Sequence, residues 1–245
     1  SEASYDYLFD YSNIEFFAAS GDNGSVVMWP SVSSNVIAVG GTSLNIGPSG
    51  TVTSETAWSG SGGGISLYEP IPSYQTNYGL TGSKRVVPDV SYNGDSATGV
   101  RVYYNSNWYI VGGTSAGSPQ WAGIYALGLS ATHENLYSKA NIAYSTYFRD
   151  ITSGSTVKYN ASAGYDYITG LGSPLTYNFL DSVEVSPTLG GAGTAITITG
   201  NGLSGTLANI TYLNPFTSTW ESIANNTAIT SGSLSCNTTA PELMG

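Results

Sequence analysis

Short apolar runs separated by polar, glycine-rich turns set the pattern of the chain. Residues 3–13 place Leu8 and Tyr11 three apart and Tyr7 and Tyr11 four apart, a spacing that predicts a helix. Ile14-Glu15-Phe16-Phe17-Ala18-Ala19 reads as a short buried strand that ends at the turn former Ser20-Gly21-Asp22-Asn23-Gly24. Helix, buried strand and polar loop form one unit of a parallel α/β sheet, whose ligands gather at the C-terminal ends of strands. Asp22 lies at such an end, although a turn aspartate needs no function to explain it. A second strand is predicted at Val36-Ile37-Ala38-Val39, followed by Gly40-Gly41. Residues 44–53 read as a hairpin around Gly47-Pro48-Ser49-Gly50.

Farther on, Ser59-Gly60-Ser61-Gly62-Gly63-Gly64 suits either a flexible linker or a backbone wall that an extended peptide approaches closely. Residues 68–78 are expected to form a proline- and aromatic-rich loop. Residues 85–91 read as another strand entry, and residues 100–111 as a hairpin with alternating aromatics. That hairpin delivers the chain to Gly112-Gly113-Thr114-Ser115-Ala116-Gly117-Ser118-Pro119, where Pro119 is expected to open a helix. Ser115 then sits just before a helix N-terminus, where unpaired N–H groups and the macrodipole favour negative charge. A nucleophilic oxygen and a developing oxyanion both need that environment, but a plain Ser/Thr cap does too. From about residue 182 the character changes to the alternation of half-buried strands, as in Ala195-Ile196-Thr197-Ile198-Thr199-Gly200. This looks like the start of an immunoglobulin-like sandwich, which ordinarily needs about 100 residues.

Composition narrows the function. Apolar residues make up 40% of the 245, enough for a core, whereas only 9% are charged against about 25% in an average globular protein. The net charge is −10 with six Lys and Arg, so there is no basic patch for nucleic acid. A chain so little dependent on ion pairs suits acid, where carboxylates protonate. Cys236 is the sole cysteine, which excludes an intrachain disulfide. Sequons at Asn23, Asn160, Asn209, Asn225 and Asn237 suit a secreted glycoprotein. No apolar run is long enough to span a bilayer.

Gly113-Thr114-Ser115-Ala116-Gly117 matches the GxSxG elbow of α/β-hydrolases, but that fold needs an acid and then a histidine later in the chain. The only histidine is His133, with no acid between, so the order fails. His133 itself is expected to be a solvated helix-end residue. Six separated stretches, taken together and in order, resemble the sedolisins, or serine-carboxyl peptidases. They are residues 20–24, Val36 to Thr42, Glu55 and Trp58 before Ser61-Gly62-Gly63-Gly64, Val87 to Ser91, Gly112 to Ala116 with Pro119, and Gly164-Tyr165-Asp166 with Thr169-Gly170-Leu171-Gly172. They cover about residues 3–175.

The resemblance implies a subtilisin-like α/β fold with a largely parallel sheet flanked by helices, followed by the short all-β immunoglobulin-like segment. The peptidase portion is placed at residues 1–181 and the β segment at residues 182–245. It implies a secreted endopeptidase acting on polypeptides at acid pH, with Ser115 as nucleophile and Asp22 in the oxyanion hole. An aspartate can donate to an oxyanion only when protonated. The family's single calcium site maps, by motif, onto the carboxylates of Asp150 and Asp166 and the backbone oxygens of Ile151, Ser162 and Gly164. The family's catalytic glutamate and its orienting aspartate lie well upstream of the Asp22 strand. Glu2 and Asp6, though spaced i, i+4, fall on a different helix. The expectation is therefore that this part travels with the chain as a companion polypeptide. An inactive sedolisin-like scaffold in an extracellular assembly, and a carbohydrate-binding β protein prompted by the Tyr and Trp content, are the other readings.

Overall fold

The structure, a computed structural model, describes residues 2–12, 14–127, 132–175, 183–186, 193–200, 207–213, 220–230 and 233–239. Two compact units run Ser1–Thr176 and Tyr177–Gly245. In the first, β1 (Phe16–Ala19) lies parallel to β2 (Val36–Ile46), with Phe16 opposite Val36 and Ala19 opposite Val39. The second half of β2 turns back into the antiparallel β3 (Val52–Ala57), the hairpin expected around residues 47–50. β2 is longer than its apolar run because Gly40 and Gly41 remain extended and buried, letting the strand pass beneath Pro88 and Trp58.

Next, β4 (Gly64–Pro70) pairs antiparallel with β5 (Lys84–Val87). Between them the expected loop contains a short helix, α1 (Ser73–Tyr78), closed by Gly79 in the left-handed region. Burial of Tyr74 and Gln75 anchors it. β6 (Val90–Asn93) runs parallel to β2 on Val39 to Thr42, completing a β1–β2–β6 parallel core. β7 (Val100–Tyr104) and β8 (Asn107–Val111) form the expected aromatic hairpin. Helix α2 (Thr114–Ala126) lies against β1, β2 and β6. Gly117 allows this close approach, since a Cβ there would meet Tyr92 at 3.0 Å and Val39 at 3.2 Å. Trp121, fully buried, donates its Nε1–H to the Ser91 carbonyl at 3.0 Å and so pins α2 to β6. Helix α3 (His133–Tyr147) packs on α1, and β9 (Phe148–Arg149) pairs with β10 (Ser173–Pro174).

Three local expectations change. The segment expected as a helix over residues 3–13 is a 3-10 helix, Glu2–Phe9, with no buried residue. Without an apolar face to bury, nothing offsets the cost of nucleating a full α-helix. Helix α2 starts at Thr114 rather than at Pro119, which sits inside it and removes the N–H that would meet the Ser115 carbonyl. The 61–64 glycine stretch is neither linker nor open wall but buried core. Ser61 Oγ accepts from Gly41 N–H and donates to the Ile168 carbonyl, both at 2.9 Å. A Cβ on Gly63 would fall 2.0 Å from the Tyr167 oxygen.

In the second unit, β11 (Val183–Ser186), β12 (Ala195–Gly200) and β15 (Leu234–Thr239) form an antiparallel sheet in the order β11–β12–β15. β13 (Leu207–Leu213) and β14 (Trp220–Ala228) form a second antiparallel pair.

Candidate active site

The turn after β1 and the first residues of α2 are stitched together. Asp22 Oδ1 accepts from the Thr114 backbone N–H at 2.7 Å and from the Thr114 hydroxyl at 2.8 Å. The hydroxyl in turn accepts from Gly21 N–H at 3.1 Å. Thr114 is fully buried, whereas Asp22 and Ser115 face solvent. Gly113 occupies the N-cap position with φ 94°, a conformation that favours glycine, and offers no side chain to cap the helix. Asp22 takes over that task from across the chain. Its Oδ2 lies where a Gly113 Cβ would be, 2.6 Å away, so only glycine fits beneath the carboxylate.

Ser115 thus stands in the first turn of α2, where backbone N–H groups lack helical partners. Its hydroxyl has no hydrogen-bond partner among the described residues. Asp22 Oδ2 lies over Gly113, at the same end of α2 as Ser115. Thr114, which carries both hydrogen bonds to Asp22, had no signal in the sequence beyond its place beside Ser115.

His133 is not the solvated residue expected. It begins α3 but is buried, stacked on Tyr74 with ring centroids 4.5 Å apart, and its Nε2 lies 3.6 Å from Asp89 Oδ2. Asp89 is the hub of a closed cluster. Arg85 Nη2 donates to it at 2.7 Å, Tyr137 Oη at 2.8 Å and Ala38 N–H at 2.8 Å. Burial by itself would raise this carboxyl. The charge of Arg85, with His133 and the Ala38 N–H, reverses that and holds Asp89 well below the usual carboxylate range. Asp89 and His133 therefore serve each other and the core. A second hub joins β3 to the β9–β10 ladder: buried Glu55 accepts from Thr42, Ser173 and Arg149 at 2.7, 2.8 and 3.2 Å.

The residues mapped to calcium flank one loop. Asp150 accepts from Gly164 N–H on Oδ1 at 3.1 Å and on Oδ2 at 3.2 Å. Asp166 accepts from Ile168 and Thr169 N–H on Oδ1, and from the Thr169 hydroxyl and Ser162 N–H on Oδ2. Burial raises the Asp166 carboxyl against these donors. Ile151 is buried beside Ala57 and Ile168. Among the described residues, no three His, Cys, Asp or Glu side chains gather as a metal cluster.

Comparison with known proteins places the chain in a family. The subtilase family pattern matches residues 6–172. Sedolisin of Pseudomonas sp. (strain 101) is 36% identical over 167 residues, 60% of this chain and 28% of that protein. Kumamolisin of Bacillus sp. (strain MN-32) is 34% identical over 205 residues, 69% of this chain and 36% of that protein. The solved structure of Pseudomonas sedolisin, a serine-carboxyl proteinase complexed with two molecules of pseudo-iodotyrostatin, is 31% identical with a TM-score of 0.62. That likeness covers 69% of this chain and 56% of that one. The chain belongs to the subtilase family and, within it, to the sedolisins, and its first unit has the subtilisin-like α/β fold. It spans about a third of the length of these two curated relatives.

Proposed function

We propose that this chain carries the nucleophile of a serine-carboxyl endopeptidase that hydrolyses polypeptides in acid. The observation that carries the reading is the double hydrogen bond from Thr114 to Asp22 Oδ1. With both donors aimed at one oxygen, a proton on Asp22 resides on Oδ2, the oxygen lying over Gly113 at the mouth of α2. Ser115 Oγ attacks the scissile carbonyl, and the resulting oxyanion accepts from the Ser115 N–H and from protonated Asp22. Collapse of the tetrahedral intermediate expels the amine and leaves an acyl-Ser115, which water then hydrolyses.

The proton of Ser115 passes, in this reading, to a glutamate on polypeptide outside residues 1–245, and the same group protonates the leaving amine. No helix among the described residues is long and apolar enough to cross a membrane. The asparagines of all five sequons are exposed, which suits a secreted glycoprotein. The second unit, with two antiparallel strand groups, suits an immunoglobulin-like module.

Calcium belongs to the same proposal. Asp150 retains free lone pairs, and Asp166 Oδ2 would exchange its 3.3 Å contact with Ser162 N–H for the cation. The carbonyls of Ile151, Ser162 and Gly164 would complete the oxygen shell. The ion would tie the 162–166 loop to the end of β9 and has no chemical step.

Hydrolysis of a denatured protein at about pH 4 by the full-length protein tests the reading. Activity that disappears in Ser115→Ala supports it. Activity retained in that variant, or absent from a folded wild type, favours the scaffold reading.

A further inference from the structure

Glu69, in β4, is completely buried, and both of its carboxylate oxygens lack a hydrogen-bond donor. Asp6, in the 3-10 helix Glu2–Phe9, packs over it with a buried Oδ1 that also lacks one. The two carboxyl groups are neighbours where the 3-10 helix meets β4. Glu69 lacks water and Asp6 repels it, so the pair cannot stay side by side with both groups ionised at little cost.

Of the surrounding charges only Arg85 opposes the rise of the Glu69 carboxyl, and it is outweighed. Glu2, on the same 3-10 helix, adds a third negative charge. Arg85 faces Glu69 from β5, but its Nη atoms are committed to Asp89, to the Tyr74 hydroxyl and to the Val36 carbonyl. The Nε of Arg85 has no acceptor. Lys84, beside it, spends its Nζ on the Tyr68 carbonyl at 2.9 Å. The Tyr74 hydroxyl, the remaining titratable group near Asp6, donates to the Ser34 carbonyl.

We propose that Asp6 and Glu69 share a proton, forming an acid-closed latch that holds the 3-10 helix against β4 and opens toward neutral pH. One proton makes an O–H···O⁻ bond across the contact, the donor that neither carboxylate otherwise has. When it leaves, the two anions repel and the helix separates. Burial, then the charge and hydrogen bond of Asp6, then Glu2, push the Glu69 carboxyl up to about 7. A carboxyl raised in the folded state stabilises the contact fully below its ordinary value near 4.5, and that stabilisation is lost as pH rises through about 7. The latch does not involve Ser115 or Asp22, so it stands whether or not the chain is a peptidase.

Hydrogen–deuterium exchange of residues 2–9 in the full-length protein, corrected for intrinsic rates, tests the latch. Wild type should show about tenfold or greater protection at pH 5 relative to pH 8. Glu69→Gln, whose amide donates to Asp6 at any pH, should keep the protection at both. Asp6→Asn should do the same from the other side, which guards against misfolding of either variant. Equal wild-type protection at the two pH values would overturn the proposal. So would a pH dependence that persists in both variants, or protection restored at pH 8 by millimolar calcium, which would make the pair a cation site.

Discussion

Asp22 caps a helix that begins 92 positions later in the sequence, taking both the N–H and the hydroxyl of Thr114 on one oxygen at 2.7 and 2.8 Å. This single residue pair orients the carboxyl proposed for the oxyanion hole and fixes the start of the helix that presents Ser115. Thr114→Val should therefore strand Gly21 N–H and leave Asp22 Oδ1 held by the backbone N–H of residue 114 alone. Loss of such a buried hydrogen bond is worth ~1–3 kcal/mol. Measured kcat should fall about 10- to 100-fold with KM little changed, while Thr114→Ser keeps most of the activity. Equal losses in both variants would show that the methyl group, not the hydroxyl, matters.

Replacing Asp22 by Asn tests the protonation argument. The Thr114 donors still find Oδ1, and the amide donates to an oxyanion at any pH. The variant should be slower at acid pH, and its activity should persist to higher pH than that of the wild type. A pH–rate profile limited at the same alkaline edge as the wild type would remove Asp22 from that role.

Helix α2 also shows what the sequence made legible. The parallel strands were readable because β1, the first half of β2 and the β5–β6 region are short apolar runs closed by glycine or polar turns. The two hairpins announce themselves through Gly47-Pro48-Ser49-Gly50 and the aromatic alternation of residues 100–111. Strand-end logic singled out Asp22, and the helix start signalled by Pro119 singled out Ser115. Neither could supply Thr114, because its bond to Asp22 is a long-range pairing without local pattern. The same holds for Arg85, Asp89 and His133, whose cluster depends on α3 folding back onto α1. His133 read as a solvated helix end because a histidine beside Glu134 carries no sign of the ring it stacks on. The 61–64 glycines were ambiguous for a related reason. Lack of a Cβ invites any close neighbour, and here the neighbour is the protein's own Tyr167 carbonyl.

The Asp89 cluster makes a stability prediction. Removing one partner of a buried ion pair ordinarily costs ~3–5 kcal/mol, so Asp89→Asn should lower Tm strongly at neutral pH. Because Arg85 and its neighbours outweigh burial and depress the Asp89 carboxyl, this stabilisation is present in full above the ordinary value of 3.8. It fades as pH falls below that toward the folded-state value. Urea unfolding of wild type and variant from pH 7 down to pH 2 should show a wide gap that narrows only below about pH 4. A gap that widens in acid would mean that the cluster does not hold Asp89 ionised.

Calcium makes another. If Asp150 and Asp166 hold the ion, free calcium at about 100 times Kd adds ~2.7 kcal/mol to the stability of the folded protein. A chelator should then lower the wild-type Tm, and Asp150→Ala should abolish the response to calcium. A Tm indifferent to chelator and calcium would leave the 162–166 loop held by its own hydrogen bonds alone.

The most direct test of the central claim is intact-mass and peptide-mapping spectrometry of the full-length protein. The sample is mixed with a peptide ester at about pH 4 and quenched in acid within a turnover. An acyl adduct on the peptide containing Ser115, absent in Ser115→Ala, is the predicted result. An adduct on any other residue, or none while the ester is being hydrolysed, would contradict the assignment of Ser115 as nucleophile.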